Sequence, residues 1–475
     1  MFHPHRFQPS IMREYDIRGI VGETLDMADA TALGQAFTAL TRQKSGVAHP
    51  RIAVARDGRL SSPALEAHLV AAIEASGGRV VRVGCGPTPL LYFAAHTLDV
   101  EAGIVVTGSH NPKHHNGFKM VIGGASVYGP AIQELARLAA APDLATKAAP
   151  VNGRATEIDI SEAYVDRLLQ GLGAAEIGHL AIGWDAGNGA AGEIMRQLTQ
   201  RLPGRHLLLN EAIDGNFPAH HPDPTEPENL RQLQDLVARH HLDLGIAFDG
   251  DGDRIGAVDA QGRIVWGDQL LAILSRDVLA AHPGATIIAD VKASQVLFDE
   301  VARLGGKPLM WKTGHSLIKS KMIETGAKLA GEMSGHIFYA DEYYGYDDAL
   351  YAAIRLLRVI AGSGSSLAAL RDQLPTKVNT PEIRIACDDT RKFDVMAKIA
   401  GELTQEGADL NKTDGVRVRR PEGWWLLRAS NTQAVLVARA EAEDPAQLAV
   451  LLEDMSRYLA RQAISLPDIL PEIAA

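Results

Sequence analysis

A chain of 475 residues exceeds what one ordinary core organises, and domains of about 100–150 residues would make three or four of it. Hydrophobic residues at 46% and charged residues at 22% exclude a disordered chain, and a net charge of −11 gives a nucleic-acid backbone no electrostatic encouragement. Two distant cysteines, Cys85 and Cys387, exclude a disulfide framework and a Cys-based zinc motif. The N-terminus lacks an apolar leader and no run approaches the eighteen or so apolar residues of a membrane span, so a cytoplasmic protein is expected, with no membrane partner.

Along the chain, three stretches repeat one pattern: a short β-branched run, a helical period, and a second apolar run. The first places strands at 51–57 and 79–83 around a helix over about 62–76; the second places strands at 179–185 and 205–209; the third, at 286–290 and 307–311. The last hundred residues differ, with strand runs at 382–386, 415–419, 424–428 and 434–438 that predict an antiparallel sheet. Segments 139–153 and 361–366, rich in Ala or in Gly and Ser, read as surface helix ends and linkers. The expected fold is α/β: three consecutive mixed-sheet α/β domains of similar fold (1–153, 154–263 and 264–374) plus a smaller C-terminal α+β domain (375–475).

The first chemical motif follows a buried-strand candidate at 101–106, which delivers Thr107-Gly108-Ser109-His110-Asn111-Pro112 into a loop where open α/β sheets place ligands. Ser109 is the candidate nucleophile, although a turn serine before a proline explains the run about as well, and an isolated hydroxyl needs a base, a metal or prior phosphorylation. Lys119 offers an amine for acid/base work or for clamping a phosphate; a lone lysine is more often a solvated surface group. A zinc site from His110, His114 and His115 is disfavoured, because Pro112 breaks the helix that would align them and no carboxylate or cysteine completes the set. His220 and His221, in a Pro/Asp-rich loop, read as surface groups.

The most informative run is Phe248-Asp249-Gly250-Asp251-Gly252-Asp253-Arg254. Pairs of unit charges about 4 Å apart cost roughly 4 kcal/mol each at an effective dielectric of 20, so three clustered carboxylates call for a counter-charge. Oxygen-only donors favour a hard ion such as Mg²⁺, completed by water and a phosphate. An EF-hand fails, because its sixth and twelfth positions would be Arg254 and Ala260 instead of Gly and Glu.

Further on, Glu332, Ser334 and His336 stand at alternate positions and in extended backbone would share a side, suited to neighbouring sugar hydroxyls. A polar loop is the plainer account of that run taken alone. Arg428-Ala429-Ser430-Asn431-Thr432, between two apolar strands, combines a guanidinium with short donors that can form an anion nest. A hairpin turn explains the last three residues nearly as well, but not the arginine.

These motifs occur in order with Tyr15-Asp16-Ile17-Arg18-Gly19, Arg56-Asp57-Gly58-Arg59, Pro87-Thr88-Pro89, Asp290-Val291-Lys292 and Lys312-Thr313-Gly314-His315. Together they resemble the α-D-phosphohexomutase family, and within it the phosphomannomutase/phosphoglucomutase group, over nearly the whole chain. The resemblance implies four domains set heart-shaped around a central cleft. It implies that Ser109 carries a phosphoryl group, that Ser109 with Asp249, Asp251 and Asp253 holds Mg²⁺, and that Arg254 and His110 stand beside the reaction. Lys119 and His336 become the acid/base candidates, with no assignment to either half-reaction. Glu332 and Ser334, beside His336, would hold the sugar's O3 and O4; Arg428, Ser430, Asn431 and Thr432 would bind the unreacting phosphate; Tyr15, Arg18, Lys292 and His315 would line the cleft.

The implied activity is interconversion of hexose 1- and 6-phosphates, of mannose or glucose, through a hexose 1,6-bisphosphate. A monomer is the expectation, with a dimer left open. Two departures from the family pattern, His115 for a Tyr or Asp and Gln433-Ala434 where a proline commonly follows the nest, touch loop geometry only. Rival readings are a phosphoglucosamine mutase, a Mg²⁺-dependent phosphatase with an aspartyl nucleophile, and a non-catalytic sugar-phosphate sensor.

Overall fold

The computed structural model describes residues 4–141, 155–431 and 433–467. The first sheet holds β1 (Ile17–Ile20), β2 (Arg51–Arg56), β3 (Arg79–Cys85), β4 (Ala102–Val106), β5 (His115–Ile122), β6 (Ala125–Ser126) and β7 (Thr156–Glu157). Its order is β1-β5-β4-β2-β3-β7 with β6 on β5; β2 runs parallel to β3 and β4, whereas β5 is antiparallel to β1 and β4. Each βαβ crossover lays a helix against the sheet, so β4 is buried along its whole length and reads as a continuous apolar run.

The second sheet repeats the theme with β8 (Ala181–Asp185), β9 (Arg205–Leu209), β10 (Leu244–Phe248), β11 (Ile255–Asp259) and β12 (Ile264–Val265), in the order β12-β11-β10-β8-β9. The third has β13 (Thr286–Asp290), β14 (Lys307–Trp311), β15 (Leu329–Gly331) and β16 (Ile337–Tyr339), in the order β14-β13-β15-β16. Both mix parallel with antiparallel pairs; β12 lies antiparallel to β11, and the chain turns back from β10 into β11 and from β15 into β16. Those two turn-backs carry the Asp249–Asp253 run and the Glu332–His336 run.

The C-terminal sheet is antiparallel throughout, built from β17 (Val378–Asn379), β18 (Ile383–Ala386), β19 (Asp409–Asn411), β20 (Val416–Arg420), β21 (Gly423–Ala429) and β22 (Val435–Ala442). The protein is thus α/β with three mixed-sheet units and an antiparallel fourth, as the sequence predicts. β9, β13 and β14 fall on the predicted runs, while β22 extends four residues beyond its predicted end because it pairs with β21, β18 and β17 in turn. Segment 139–153 falls almost wholly outside the described residues.

Packing separates the four units unequally. One apolar cluster runs without a break from Val105 through Trp184 and Ile273 to Leu356, so the first three units share a core. The fourth buries its own, around Ile399, Trp425, Leu427 and Leu451, and meets the third through a small cluster of Val291, Trp424 and Leu426. There the Arg417 guanidinium stacks 3.5 Å from the Trp424 ring centre and donates to the carbonyls of Val291 and Ala293. No helix among the described residues is long and apolar enough to cross a membrane.

Candidate active site

Ser109 sits in the loop between β4 and β5 with φ +50°, a left-handed conformation that costs a non-glycine residue about 1 kcal/mol or more. The loop is held there by Arg59, whose side chain is fully buried. Its Nη2 donates to the carbonyls of Ser109 and Asn111 at 2.6 Å each, and its Nη1 to those of Pro112 and His115 at 2.7 and 3.1 Å. Asp57 balances the guanidinium at 3.1 Å and accepts the Gly108 N–H at 3.1 Å. Ser109 Oγ lies 3.1 Å from His110 Nδ1 and 3.3 Å from Asp249 Oδ2, so hydroxyl, imidazole and carboxylate from two different sheets meet. Burial, then the Arg254, Arg18 and Lys119 cations, hold His110 well below its ordinary pKa and therefore neutral.

Asp249, Asp251 and Asp253 are all fully buried, one donor oxygen from each lying within 4.8 Å of the others. Two glycines make the convergence possible: Gly252 takes φ +72°, and a Cβ on Gly250 would fall 2.4 Å from the Ser109 carbonyl oxygen. Asp249 Oδ1 accepts the N–H groups of Asp253 and Arg254, and Asp251 Oδ2 accepts the hydroxyls of Thr88 and Thr107. Lys119 is no surface lysine. Buried on β5, its Nζ pairs with Asp251 Oδ2 at 2.8 Å and with Asp253 Oδ2. Although burial works against its charge, those two carboxylates raise its pKa, so it is a firm cation. Lys119 pairs with two of the three carboxylates and not with Asp249, which burial and the two neighbouring carboxylates drive well above its ordinary value. Asp251 Oδ1 makes no hydrogen bond.

The expected extended geometry of Glu332, Ser334 and His336 needs correction. Residues 332–336 form a tight turn, with Gly335 at φ +92° and the Glu332 N–H donating to the His336 carbonyl, so the three converge by doubling back between β15 and β16. A Cβ on Gly335 would stand 2.4 Å from the Ile255 carbonyl oxygen, and this close approach pins the turn against the end of β10–β11. His336 Nδ1 lies 2.8 Å from Glu332 Oε2 and 3.2 Å from Ser334 Oγ, and its Nε2 lies 3.2 Å from Asp253 Oδ1. Burial opposes the imidazolium, but Asp253 leads the groups that raise His336 to about 9. Arg254, paired through a β-bridge with His336, brings its Nε to 3.4 Å from the same ring. His315 stacks on His336, ring centres 5.6 Å apart.

The fourth sheet supplies the remaining wall. Asn431 Nδ2 donates to Tyr15 Oη at 2.7 Å, and Tyr15 donates to the Thr313 carbonyl at 2.8 Å, so the first, third and fourth units touch at one phenol. Arg428 Nε is held 2.9 Å from Asp414, Ser430 N–H donates to the Val435 carbonyl, and Lys292 Nζ reaches Glu382 at 2.9 Å. Arg18 donates to Asn111 Oδ1 at 2.8 Å and pairs with Asp16. Thr432 lies outside the described residues. The structure therefore brings Ser109, His110, Lys119, the three aspartates, Arg254, Glu332, Ser334, His336 and His315 together, with Tyr15 linking them to the Asn431 side. His114 and His115 stack on each other, and neither belongs to a metal-donor cluster among the described residues.

Sequence reasoning passed over the roles of Arg59 and Asp57, of Thr88 and Thr107 beneath Asp251, of Asp414 behind Arg428, and of Asp347. The signal for the last was available: a double aspartate, Asp347-Asp348, immediately before an apolar helical run, is a helix start with one carboxylate more than a cap requires.

Models of four phosphoglucomutase/phosphomannomutase domains match the chain in order: α/β/α domain I at residues 9–145, domain II at 162–262, domain III at 266–378 and the C-terminal domain at 382–457. A phosphomannomutase/phosphoglucomutase of Pseudomonas putida is 43% identical over 445 residues, 94% of either chain. A phosphoglucomutase of Neisseria gonorrhoeae is 43% identical over 440 residues, 92% of this chain and 94% of that one. The X-ray structure of a phosphoglucomutase/phosphomannomutase family protein from Burkholderia thailandensis, 42% identical, superposes with a TM-score of 0.89 over 97% of this chain and all of that one. The chain belongs to the phosphoglucomutase/phosphomannomutase family, and is a phosphohexomutase.

Proposed function

We propose that the protein interconverts hexose 1-phosphates and hexose 6-phosphates, of mannose, glucose or both, by relaying a phosphoryl group through Ser109 and a hexose 1,6-bisphosphate. The observation that carries this reading is the placement of Ser109 Oγ against Asp249, at the mouth of a buried carboxylate cluster that Lys119 only partly neutralises. The all-oxygen donor set and the orphaned Asp251 Oδ1 fit a hard divalent cation, so Asp249, Asp251, Asp253 and the Ser109 phosphate would hold Mg²⁺. When bound, that ion offsets charge on the transferring phosphoryl group.

In the forward direction the phosphorus–Oγ bond of phosphoserine 109 breaks as phosphorus bonds to O6 of a hexose 1-phosphate, and the O6 proton passes to a side chain. The bisphosphate turns end over end; then the phosphoryl group on O1 returns to Ser109 Oγ and O1 recovers a proton. Lys119 and His336 are the groups placed for these proton transfers. Glu332 and Ser334 hold O3 and O4, which the half turn exchanges, while Arg428, Ser430, Asn431 and Thr432 retain whichever phosphate is not reacting. Tyr15, Arg18, Lys292 and His315 complete the wall, and His110 and Arg254 flank the transfer. The transition state is loose and stabilised mostly by positioning and charge, in keeping with a cleft lined by preset cations. The reading takes the units as 1–153, 154–263, 264–374 and 375–475, in a cytoplasmic protein acting as a monomer or dimer.

Intact mass decides the central step. The wild-type chain carries one added phosphoryl group after exposure to glucose 1,6-bisphosphate, and Ser109→Ala does not. Turnover of both hexose 1-phosphates requires a trace of bisphosphate and stops on chelation by EDTA. A Ser109→Ala variant that turns over normally ends the proposal; an aspartyl-nucleophile phosphatase would give that result.

A further inference from the structure

Asp347 belongs to none of the expected site residues, yet it is fully buried beside them. It follows β16, bridges backbone to Phe338, and immediately precedes Asp348. The two neighbours do different work. Asp348 caps the helix Ala349–Ser363 through the Tyr351 N–H at 2.9 Å and takes the hydroxyls of Tyr164, from the second unit, and Tyr343 at 2.7 and 2.8 Å, all structural contacts. Asp347 turns the other way. Its Oδ1 takes Lys319 Nζ at 2.9 Å, and its Oδ2 lies 3.5 Å from His315 Nδ1 and 4.0 Å from His336 Nε2.

His315 opens the helix His315–Thr325, so Lys319 stands one turn on, on the same face. Asp347 thus meets both side chains at once. Its Oδ2 and the His315 Nδ1 are buried atoms without a hydrogen bond, facing each other across 3.5 Å. A buried polar atom left without a partner is destabilising, so two orphans at this separation gain by closing on each other. Side-chain hydrogen bonds at such sites are often long in the resting protein and tighten when substrate fills the cleft. Burial, with Lys319 and Lys119 beyond it, keeps His315 neutral, so the ring carries a single proton whose position some neighbour must choose.

We propose that Asp347 is a positioning residue: its Oδ2 takes the Nδ1–H of His315, fixing the ring and leaving Nε2 as the lone-pair acceptor offered to a hydroxyl of the bound hexose phosphate. Lys319 anchors the carboxylate in turn, so Asp347 cannot rotate away when the sugar enters or turns over. The proposal rests on the reading of the cleft as a sugar-phosphate site, and it adds a residue outside that reading's site list.

The test pairs the two aspartates. With ¹⁵N-labelled histidine, the resting wild-type enzyme shows His315 as the Nδ1–H tautomer, and Asp347→Asn moves it toward Nε2–H. The same variant loses about 10- to 100-fold in kcat/KM, the scale of removing a carboxylate behind a working histidine, with its melting temperature nearly unchanged. Asp348→Asn does the reverse, lowering the melting temperature while keeping the tautomer. Should Asp347→Asn fold poorly with Lys319 uncompensated, Asp347→Asn/Lys319→Met removes both charges, and it folds with the same kinetic loss. An Nε2–H tautomer in the wild type, or unchanged kcat/KM in either soluble variant, overturns the proposal. Because the tautomer is read without turnover, a chain inert toward hexose phosphates that still shows Nδ1–H on His315 refutes the mutase reading and leaves the Asp347 contact standing.

Discussion

The Ser109 end of the cleft and the Arg428 end are built on opposite plans. At the first, a strained serine is fixed by four carbonyl bonds to one buried guanidinium, two of the three carboxylates share one lysine, and the surrounding core is continuous across three sheets. At the second, a sheet with its own core meets its neighbour through a three-residue apolar patch and a set of polar contacts: Arg417 on the Val291 and Ala293 carbonyls, buried Arg439 on the Lys292 carbonyl and Asp268, the Gln295 N–H on Glu441, the Thr313 N–H on Asp414, and the Lys292–Glu382 pair. The proposed mechanism would use that difference: phosphoryl transfer needs groups that do not reorganise, whereas a bisphosphate reversing its direction would need one wall that can let go and re-form. On the mechanism proposed above, the end with the continuous core would carry the chemistry and the separately cored end the capture.

The contrast is broken most severely at Lys119. Lys119→Met removes an acid/base candidate and leaves the carboxylates uncompensated, and kcat should fall by about 10²- to 10⁴-fold with KM changed only a few-fold. Steady-state kinetics that showed KM rising instead would make Lys119 a binding group and dissolve the division of labour. Arg59→Lys probes the scaffold alone, since one ammonium cannot reproduce five contacts of a planar fork. A loosened Ser109 loop should lower kcat by about 10- to 100-fold, because misplacement by an ångström is enough for such a loss. Normal kcat in that variant would mean that the φ +50° conformation needs no clamp.

At the other end the sign of the effect reverses. Arg428→Ala should raise KM by about tenfold, the equivalent of one charge-assisted hydrogen bond to phosphate, while the rate at saturation stays within a few-fold. High salt should narrow the difference between variant and wild type. A kcat defect in place of the KM defect would show that the capture wall takes part in the transition state.

How much of this was legible in the chain differs between the ends as well. Chemistry written in adjacent residues could be read directly: the alternating aspartates with their glycines, and the serine delivered by a buried strand. Partnerships across the fold could not. Lys119 finds Asp251 and Asp253 from more than a hundred residues away, and nothing in Asn116-Gly117-Phe118-Lys119 separates a buried cation from a solvated one. Arg59 binds backbone carbonyls, which carry no sequence signature at all. In the Glu332–His336 run, period-two spacing fits a strand as well as a polar loop, and the positive φ of Gly335 that makes it a turn belongs to the close approach of Ile255, a residue of another sheet. Asp347 went unread because a double aspartate before a helix looks like a cap with a spare.

The smallest effect tests how much one ion pair contributes to holding the fourth sheet on the third. Lys292, outweighing burial, pulls the Glu382 carboxyl from its ordinary 4.5 down to about 2. The folded state therefore binds that proton more weakly than the unfolded chain, and the pair's stabilisation is fully present above pH about 4.5 and disappears as pH falls through about 2. Melting curves of wild type and Glu382→Gln should differ by a small constant amount from neutrality down to pH 5 or so, and converge below it. Limited proteolysis should report the same convergence at the junction before β18, if the fourth sheet loosens first. A gap that persisted unchanged to pH 3 would mean that Glu382 acts through packing instead of charge, and the fourth sheet would then be fixed to the third more firmly than a wall that must release a turning substrate can be.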